Sequence, residues 1–412
     1  MKVYPMKSGD TFTSPSLFVN LQHPRDAEAM HIASNRGLPN IDGLVIDMLD
    51  YKYIAEELGF NDQSLIPATR SDASQKLRLI DPTLHYLLTG NDEQKERMLA
   101  TKLFDARLQA PIKGMMRSDL GGKEKTRMII DQVYPYLTVR PHIEFQLRNG
   151  ASAIISPCVN ITSMKNFAHQ LSKATQMLTD TRTLLETSLK GYSETRDLIN
   201  VLTIRYKLAE PINYPSLFKL ALCNGPDQVG FRFLGITESD TVGVDNMFQF
   251  LRNFSIYSMD VLDRKEPIPM HLFNVDELGY AGYCNGVCNI VSPLATSPYY
   301  AFPSKRNRDG DEVDNTPTYY DPGNMNQPKA RTIDRLRCTC PECSRFKFMD
   351  KVPKSYLPTF RRVHWLHCKD EEIRQFRETP VRLDTALRAK FAQSMRTQLA
   401  AYIPETPIFA VY

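Results

Sequence analysis

Short apolar runs, rich in β-branched residues, recur along the chain with little polar alternation inside them. They are SLFVNL (16–21), GLVIDML (43–49), LRLID (77–81), ASAIIS (151–156) and NVLTIRY (200–206), then VGFRFLGI (229–236), PMHLFNV (269–275) and GVCNIVS (286–292). A run of this length and pattern reads as a strand buried on both faces, the kind used in parallel sheets. Helix-like stretches lie between several of them, such as DAEAMHIASNR, DNMFQFLRNFSIY and DELGYAGYCN. Eight strands alternating with helices predict an α/β chain folded as a (β/α)8 barrel of the TIM type. PSLFKLALC (215–223) is an alternative for the fifth strand.

Two stretches break the rhythm. Residues 165–198 carry Phe167, Leu171, Leu178, Leu185 and Leu189 at helical spacings and read as a long helical insertion. Residues 295–332 are rich in Pro, Gly, Asn, Asp and Tyr and read as a long loop. Residues 1–332 are therefore expected to form the barrel, and 333–412 a helical subdomain opened by a cysteine cluster. Its last helix, about 383–401, places Leu383, Leu387, Phe391, Met395 and Leu399 on one stripe, the pattern of core packing.

Composition adds boundaries rather than identity. The 412 residues are 42% hydrophobic and 24% charged, an ordinary globular balance, and the net charge is only +4. Such a small excess leaves nucleic-acid binding to local clusters. No run approaches the ~18 apolar residues of a membrane span, and MKVYPMKSGDTF has no apolar signal core. A cytoplasmic location and no membrane partner are expected. In a reducing compartment, three of the eight cysteines crowded into six residues point to a metal rather than to bridges.

That crowd is RCTCPECSRF (337–346), in which Cys338, Cys340 and Cys343 are spaced C-x-C-x-x-C. One turn can present three such thiolates to one ion, and a soft tetrahedral donor set suits structural zinc. The fourth ligand is expected from RRVHWLHC (361–368), with His367 first, then His364, then Cys368. Four protein ligands leave no position for a catalytic water.

C-x-C-x-x-C followed some 25 residues later by a histidine, at the C-terminal end of a (β/α)8 barrel, resembles the tRNA-guanine transglycosylase superfamily. That superfamily includes the transglycosylases that place 7-deazaguanine bases in DNA. HCKDEEIRQFRE (367–378) fits the family's histidine and helix with Cys368 in an Asn place, which favours His367. KEPIPMHLFNVDELGYAGYCNGVCNIVSPLATS (265–297) resembles the family's penultimate strand, helix and last strand. LRLIDPTLHYL (77–87) stands where the family has D-S-G-G-F-Q, AIISPCVNIT (153–162) where it has M-A-F-D-E-C, and LALCNG (220–225) where it has I-V-Q-G-G. VGFRFLGITE (229–238) stands at its Gly-Leu-rich substrate loop. The resemblance spans about residues 13–380; the metal motif is specific, the rest is order and shape.

The resemblance implies base exchange by two carboxylates, one a nucleophile toward C1′ of the ribose and one a proton shuttle for the bases. Asp81 matches the proton-transfer aspartate. The nucleophile slot, counted back from Pro293, holds Asn289, a neutral amide that departs from the family. Asp276 and Asp47, at other strand ends, are substitutes; Asp245, in GVDNMF, reads as a residue near a helix start. Cys288 is a further thiol near the slot. The base-recognition slots hold Pro157 or Cys158 and Cys223 or Asn224, and Gly235 falls in the substrate loop.

Lys305, Arg306 and Arg308 cluster in the long loop, and Arg361, Arg362 and Trp365 lie beside the metal motif. In the family these regions cradle the phosphate backbone around an extruded nucleotide. The expectation is a pentosyltransferase exchanging guanine for a 7-deazaguanine-type base in nucleic acid, in DNA rather than tRNA, since the glycines expected around Asp81 are missing. The alternative is a silent, zinc-containing subunit that binds nucleic acid or pairs, as homodimer or heteromer, with an active paralogue.

Overall fold

A computed structural model of the chain describes residues 16–60, 76–90, 92–101, 103–117, 121–193, 196–236, 241–275, 279, 282–283, 285–294, 319–320, 333, 335–336 and 338–378. A strand forms at each of the eight apolar runs: β1 Ser16–Leu21, β2 Gly43–Asp47, β3 Leu77–Asp81, β4 Ile154–Ser156, β5 Leu198–Arg205, β6 Gln228–Leu234, β7 Met270–Phe273 and β8 Asn289–Pro293. All pair in parallel, in the order β3-β2-β1-β8-β7-β6-β5-β4. The two ends of that order approach where Ser152 N donates to the Arg78 carbonyl (2.7 Å) and Arg78 N donates to Ser152 Oγ (2.9 Å). The sheet is thus a nearly closed barrel with helices around it.

Parallel strands need crossovers, and helices supply them. These include α1 (Pro24–Ser34), α2 (Tyr51–Glu57), α3 (Phe167–Glu186), α4 (Tyr214–Ala221) and α5 (Thr241–Leu262). The helical stretch expected as an insertion over 165–198 is α3, and it is the ordinary crossover from β4 to β5. The extra length lies earlier, between β3 and β4, where Asp92–Ala100, Ala106–Arg117, Gly122–Met128 and Arg140–Arg148 are all helical. PSLFKLALC folds as α4 rather than a strand; it buries Leu217, Phe218, Leu220 and Ala221, and Phe218 packs edge-on against Phe250 and Phe254 of α5.

Alternation along the strands splits the apolar residues into two cores. Leu17, Val19, Leu44, Ile46 and Ile80 belong to the large outer core shared with the helices. Phe18, Val45, Leu79, Ile155, Ile199, Val201, Phe273 and Val291 form a separate cluster that fills the barrel interior. Two large rings fit because glycines face them. A Cβ on Gly43 would lie 2.3 Å from Phe18 Cε1, and one on Gly230 would lie 2.7 Å from Phe273 Cε2.

Beyond the barrel, α6 (Pro341–Phe346) and α7 (Leu357–Glu378) form the C-terminal unit. Thr359, Arg362, Asp370 and Arg377 form one stripe of α7. They bond to Glu28, Asp26, the Asn40–Ile41 backbone and Asp42, which joins this unit to α1 and the α1–β2 loop. Among the described residues no helix is long and apolar enough to cross a membrane. The stripe expected at 383–401 and nearly all of 295–332 lie outside the described residues.

Candidate active site and metal centre

The C-terminal mouth of the barrel lies one layer above the apolar interior. Continuing the inward parity of Val45 and Leu79 by two residues gives Asp47 and Asp81, the last residues of β2 and β3. They are register partners on adjacent strands, and both are buried. Neighbouring strands run about 4.8 Å apart, so the two carboxyls share one corner of the mouth.

Their environments differ. Arg232 of β6 also points inward; its guanidinium lies 5.1 Å above the Phe273 ring and reaches across to form an ion pair with Asp81 Oδ2. Its other arm donates to His85 Nδ1 at 2.8 Å. A guanidinium only donates, so His85 Nδ1 is the acceptor and the ring proton is on Nε2. Burial and the Arg232 charge hold His85 neutral, well below its ordinary range. Burial opposes the charge of Asp81, but Arg232, together with the Thr83 N–H (2.8 Å), outweighs it and keeps the carboxyl below the usual aspartate value. Thr83 makes that bond from a left-handed backbone, φ 60°, an uncommon place for a β-branched residue.

Among the described residues no cation pairs with Asp47. Burial pushes its pKa up to about 8, against the Leu49 N–H bond (2.9 Å), and the charges of Asp81 and Asp50 add to the rise. Burial thus favours the protonated form of Asp47, and Arg232 the ionised form of Asp81. Two carboxyls whose environments differ in this way can divide acid and base roles between them. Asn20, Asn160 and Asn274, all buried, complete the surroundings. Asn20 Nδ2 donates to Asn274 Oδ1 (3.4 Å), and Asn160 Nδ2 donates to the His85 carbonyl (3.1 Å).

Asn289 is not at this mouth. It is the first residue of β8, paired with Ser16 and His271 at the N-terminal end of the barrel. There its Nδ2 lies 3.3 Å from His271 Nε2, which is 2.5 Å from Gln228 Oε1, while Gln228 Nε2 donates to Asp197 (2.8 Å). This polar plug closes the barrel floor, and the inward apolar layer separates it from Asp81. Asn289 is thus no nucleophile slot. Asn224 is also displaced from the expected role: it lies between α4 and β6, on the floor side, with its Nδ2 bonded to Thr179 Oγ1 (2.9 Å). Cys158, after β4, and Gly235, after β6 with φ 82°, do fall at the mouth end. Burial pushes the Cys158 thiol up to about 12 and Cys288 to about 11, so neither is a reactive thiol. Asp276 and the Lys305, Arg306 and Arg308 cluster lie outside the described residues.

The cysteine motif folds as expected, with one correction. Sγ of Cys338, Cys340 and Cys343 and a ring nitrogen of His364 all lie within 4.8 Å of one another. The fourth member is His364, not His367. Its Nδ1 lies 3.3 Å from both Cys340 Sγ and Cys343 Sγ. Phe360, His364 and Cys368 share one face of α7 at i, i+4 and i+8; His367, three residues on, is turned about 60° away. Cys340 caps α6, its Sγ accepting from Cys343 N (3.4 Å), and Cys338 Sγ accepts from Cys340 N (3.3 Å). His364 Nε2 lies 2.6 Å from the Tyr320 carbonyl, which fixes its proton there and leaves Nδ1 as the donor atom for a metal. Tyr319 stacks on the imidazole, centroids 4.4 Å apart, and its hydroxyl lies 3.3 Å from Cys343 Sγ. Hydrogen bonds from Cys340 and Cys343 draw Cys338 down toward the thiolate, and bonds with Cys338 and Cys340 push Cys343 up. A divalent cation ends this competition by ionising all three. The group fits a metal ion.

Arg362 is engaged inward, its Nε donating to Asp26 (2.7 Å) and its Nη1 to the Pro358 carbonyl (3.1 Å). Trp365 is buried, and Arg361 is half-buried with its guanidinium pulled down to about 10 by burial and by Arg362. Arg362 therefore braces α7 on the barrel rather than presenting charge to nucleic acid. Sequence reasoning missed Arg232, although an arginine inside a run read as buried on both faces was a visible signal. It also missed Tyr319 and Tyr320, for which the sequence offered none. No family model and no curated protein matches this chain.

Proposed function

We propose that the chain is a pentosyltransferase of the tRNA-guanine transglycosylase type, exchanging guanine for a 7-deazaguanine-type base in DNA. The observation that carries this reading is the pair of buried carboxyls, Asp47 and Asp81, side by side at the C-terminal mouth, with Arg232 paired to Asp81. Asp81, ionised against Arg232, faces the positive charge that develops at C1′ and forms the glycosyl–enzyme bond. Asp47 gives its proton to the departing base and takes one from the incoming base. These roles reverse the ones the resemblance implies, because the cation is beside Asp81 and not beside Asp47.

An extruded nucleotide needs contacts that replace its stack. Met164, Ile212 and Val242, which follow β4, β5 and β6 on the mouth side, are 59%, 81% and 68% exposed. Asn213 Nδ2 lies 3.8 Å from Met164 Sδ, so the first two loops touch. This apolar rim suits unstacked bases. The metal is zinc, structural and four-coordinate, held by Cys338, Cys340, Cys343 and His364; it stiffens α6 and α7 and takes no part in the chemistry. The alternative of a silent subunit would suit a mouth without a carboxyl pair, whereas Asp47 and Asp81 stand there side by side.

Trapping tests the reading. The protein is incubated with duplex or single-stranded DNA, without an incoming base, and quenched in denaturant. A covalent DNA–protein species is expected for wild type, and none for Asp81→Asn. A species that persists in Asp81→Asn would remove Asp81 as nucleophile.

A further inference from the structure

The metal nest holds five soft donors, one more than a tetrahedral ion uses. The fifth is Cys368, 4% exposed, on the His364 face of α7. Its Sγ lies 3.6 Å from Cys338 Sγ and 3.5 Å from His364 Nδ1. Sulfurs bound to one zinc lie about 3.8 Å apart, so this separation is that of co-ligands, yet Cys368 stands outside the group of four. Cys338 is the member of the four whose sulfur touches it. It lies outside any helix, ahead of α6, and is only half-buried. A half-buried thiol in contact with a helix-borne one needs about 1.5 Å of approach to reach a disulfide bond.

The geometry points to Cys338 and Cys368 as a peroxide-sensitive thiol pair whose oxidation expels the metal. The Cys338 thiolate, the form it would hold as a metal ligand, attacks one peroxide oxygen. The O–O bond breaks, Cys338 becomes a sulfenic acid and hydroxide departs. The Cys368 thiol then attacks the Cys338 sulfur, the S–S bond forms, and the sulfenic oxygen leaves as water with the thiol proton. The sulfur pair loses two electrons, and the peroxide takes them. Cys338 no longer donates, and the remaining Cys340, Cys343 and His364 hold the ion weakly. This inference needs only the metal nest; it is independent of the proposed reaction.

The test uses the full chain, reduced and loaded with Zn(II), and hydrogen peroxide as oxidant. Peroxide should release the zinc to a chromophoric chelator, remove two titratable thiols and lower the intact mass by about 2 Da. Peptide mapping should find Cys338 joined to Cys368, and a dithiol with fresh zinc should restore the starting state. Cys368→Ala should still bind one zinc but lose the 2 Da change. A disulfide that maps to another pair in the wild-type chain would overturn the inference, whether or not the variant folds. So would wild-type release with the same mass change from Cys368→Ala.

Discussion

Burial raises the Asp47 pKa to about 8 with no cation beside it among the described residues, whereas Asp81, one strand away, has Arg232. The consequence for stability has a definite sign. In the unfolded chain an aspartate ionises near about 3.9, and in the fold Asp47 does so near about 8. The native state holds this proton more tightly, so the contribution is complete below pH ~4 and is lost as pH rises to ~8. Asp47→Asn lacks that loss. In urea unfolding, the variant should gain on wild type steadily between these limits and level off above them; a gap that does not change with pH would contradict the assignment. The same variant cannot pass a proton, and its kcat should fall by roughly 10²–10⁴. At the metal, His364→Ala should weaken zinc binding by about tenfold or more, while His367→Ala should match wild type in a chelator competition. Equal losses from both would return His367 to the ligand set.

At the level of elements, the strands were legible and their partners were not. A strand buried on both faces leaves a short, uninterrupted apolar signature, and each of the eight runs carried one. Crossover helices and inserted helices share one periodicity, so only strand pairing reveals that α3 links β4 to β5 and that the excess lies between Tyr86 and Arg148. The two histidines of α7 posed a similar problem. Spacing from Cys343 admits either, and the choice is made by the stripe Thr359, Arg362, Asp370 and Arg377, which docks on α1 and the α1–β2 loop and turns Phe360, His364 and Cys368 toward α6. Asn289 misled because counting back from a proline gives a place in sequence and no height in the barrel. Interior packing gives the test at this scale. Gly43→Ala would drive a methyl to 2.3 Å from Phe18 Cε1, and overpacking of this kind costs about 1–3 kcal/mol. Calorimetry should show the loss in Gly43→Ala and its partial recovery when Phe18→Leu is added. An unchanged melting temperature in the single variant would mean that the ring does not fill the barrel there.

Across the whole molecule, the proposed catalytic mouth and the candidate metal nest occupy separate regions connected by the first βα unit. β1 and β2 carry Asn20 and Asp47 to the mouth, while Asp26, Arg36 and Asp42, on α1 and the α1–β2 loop, pair with Arg362, Glu342 and Arg377 of the C-terminal unit. Buried and half-buried pairs of this kind cost several kcal/mol to leave half-made, so α7 and the barrel should unfold together. A metal bound in the nest, as proposed, would in this way support the mouth without touching it. The most direct measurement of the central claim is base exchange itself. Labelled 7-deazaguanine or guanine is offered with DNA, and in parallel with tRNA, to wild type, Asp81→Asn, Asp47→Asn and Asn289→Ala. Label should enter DNA with wild type and with Asn289→Ala, and both aspartate variants should lose it. Undiminished incorporation by Asp81→Asn, or no incorporation into either nucleic acid by the zinc-loaded wild type, would contradict the account.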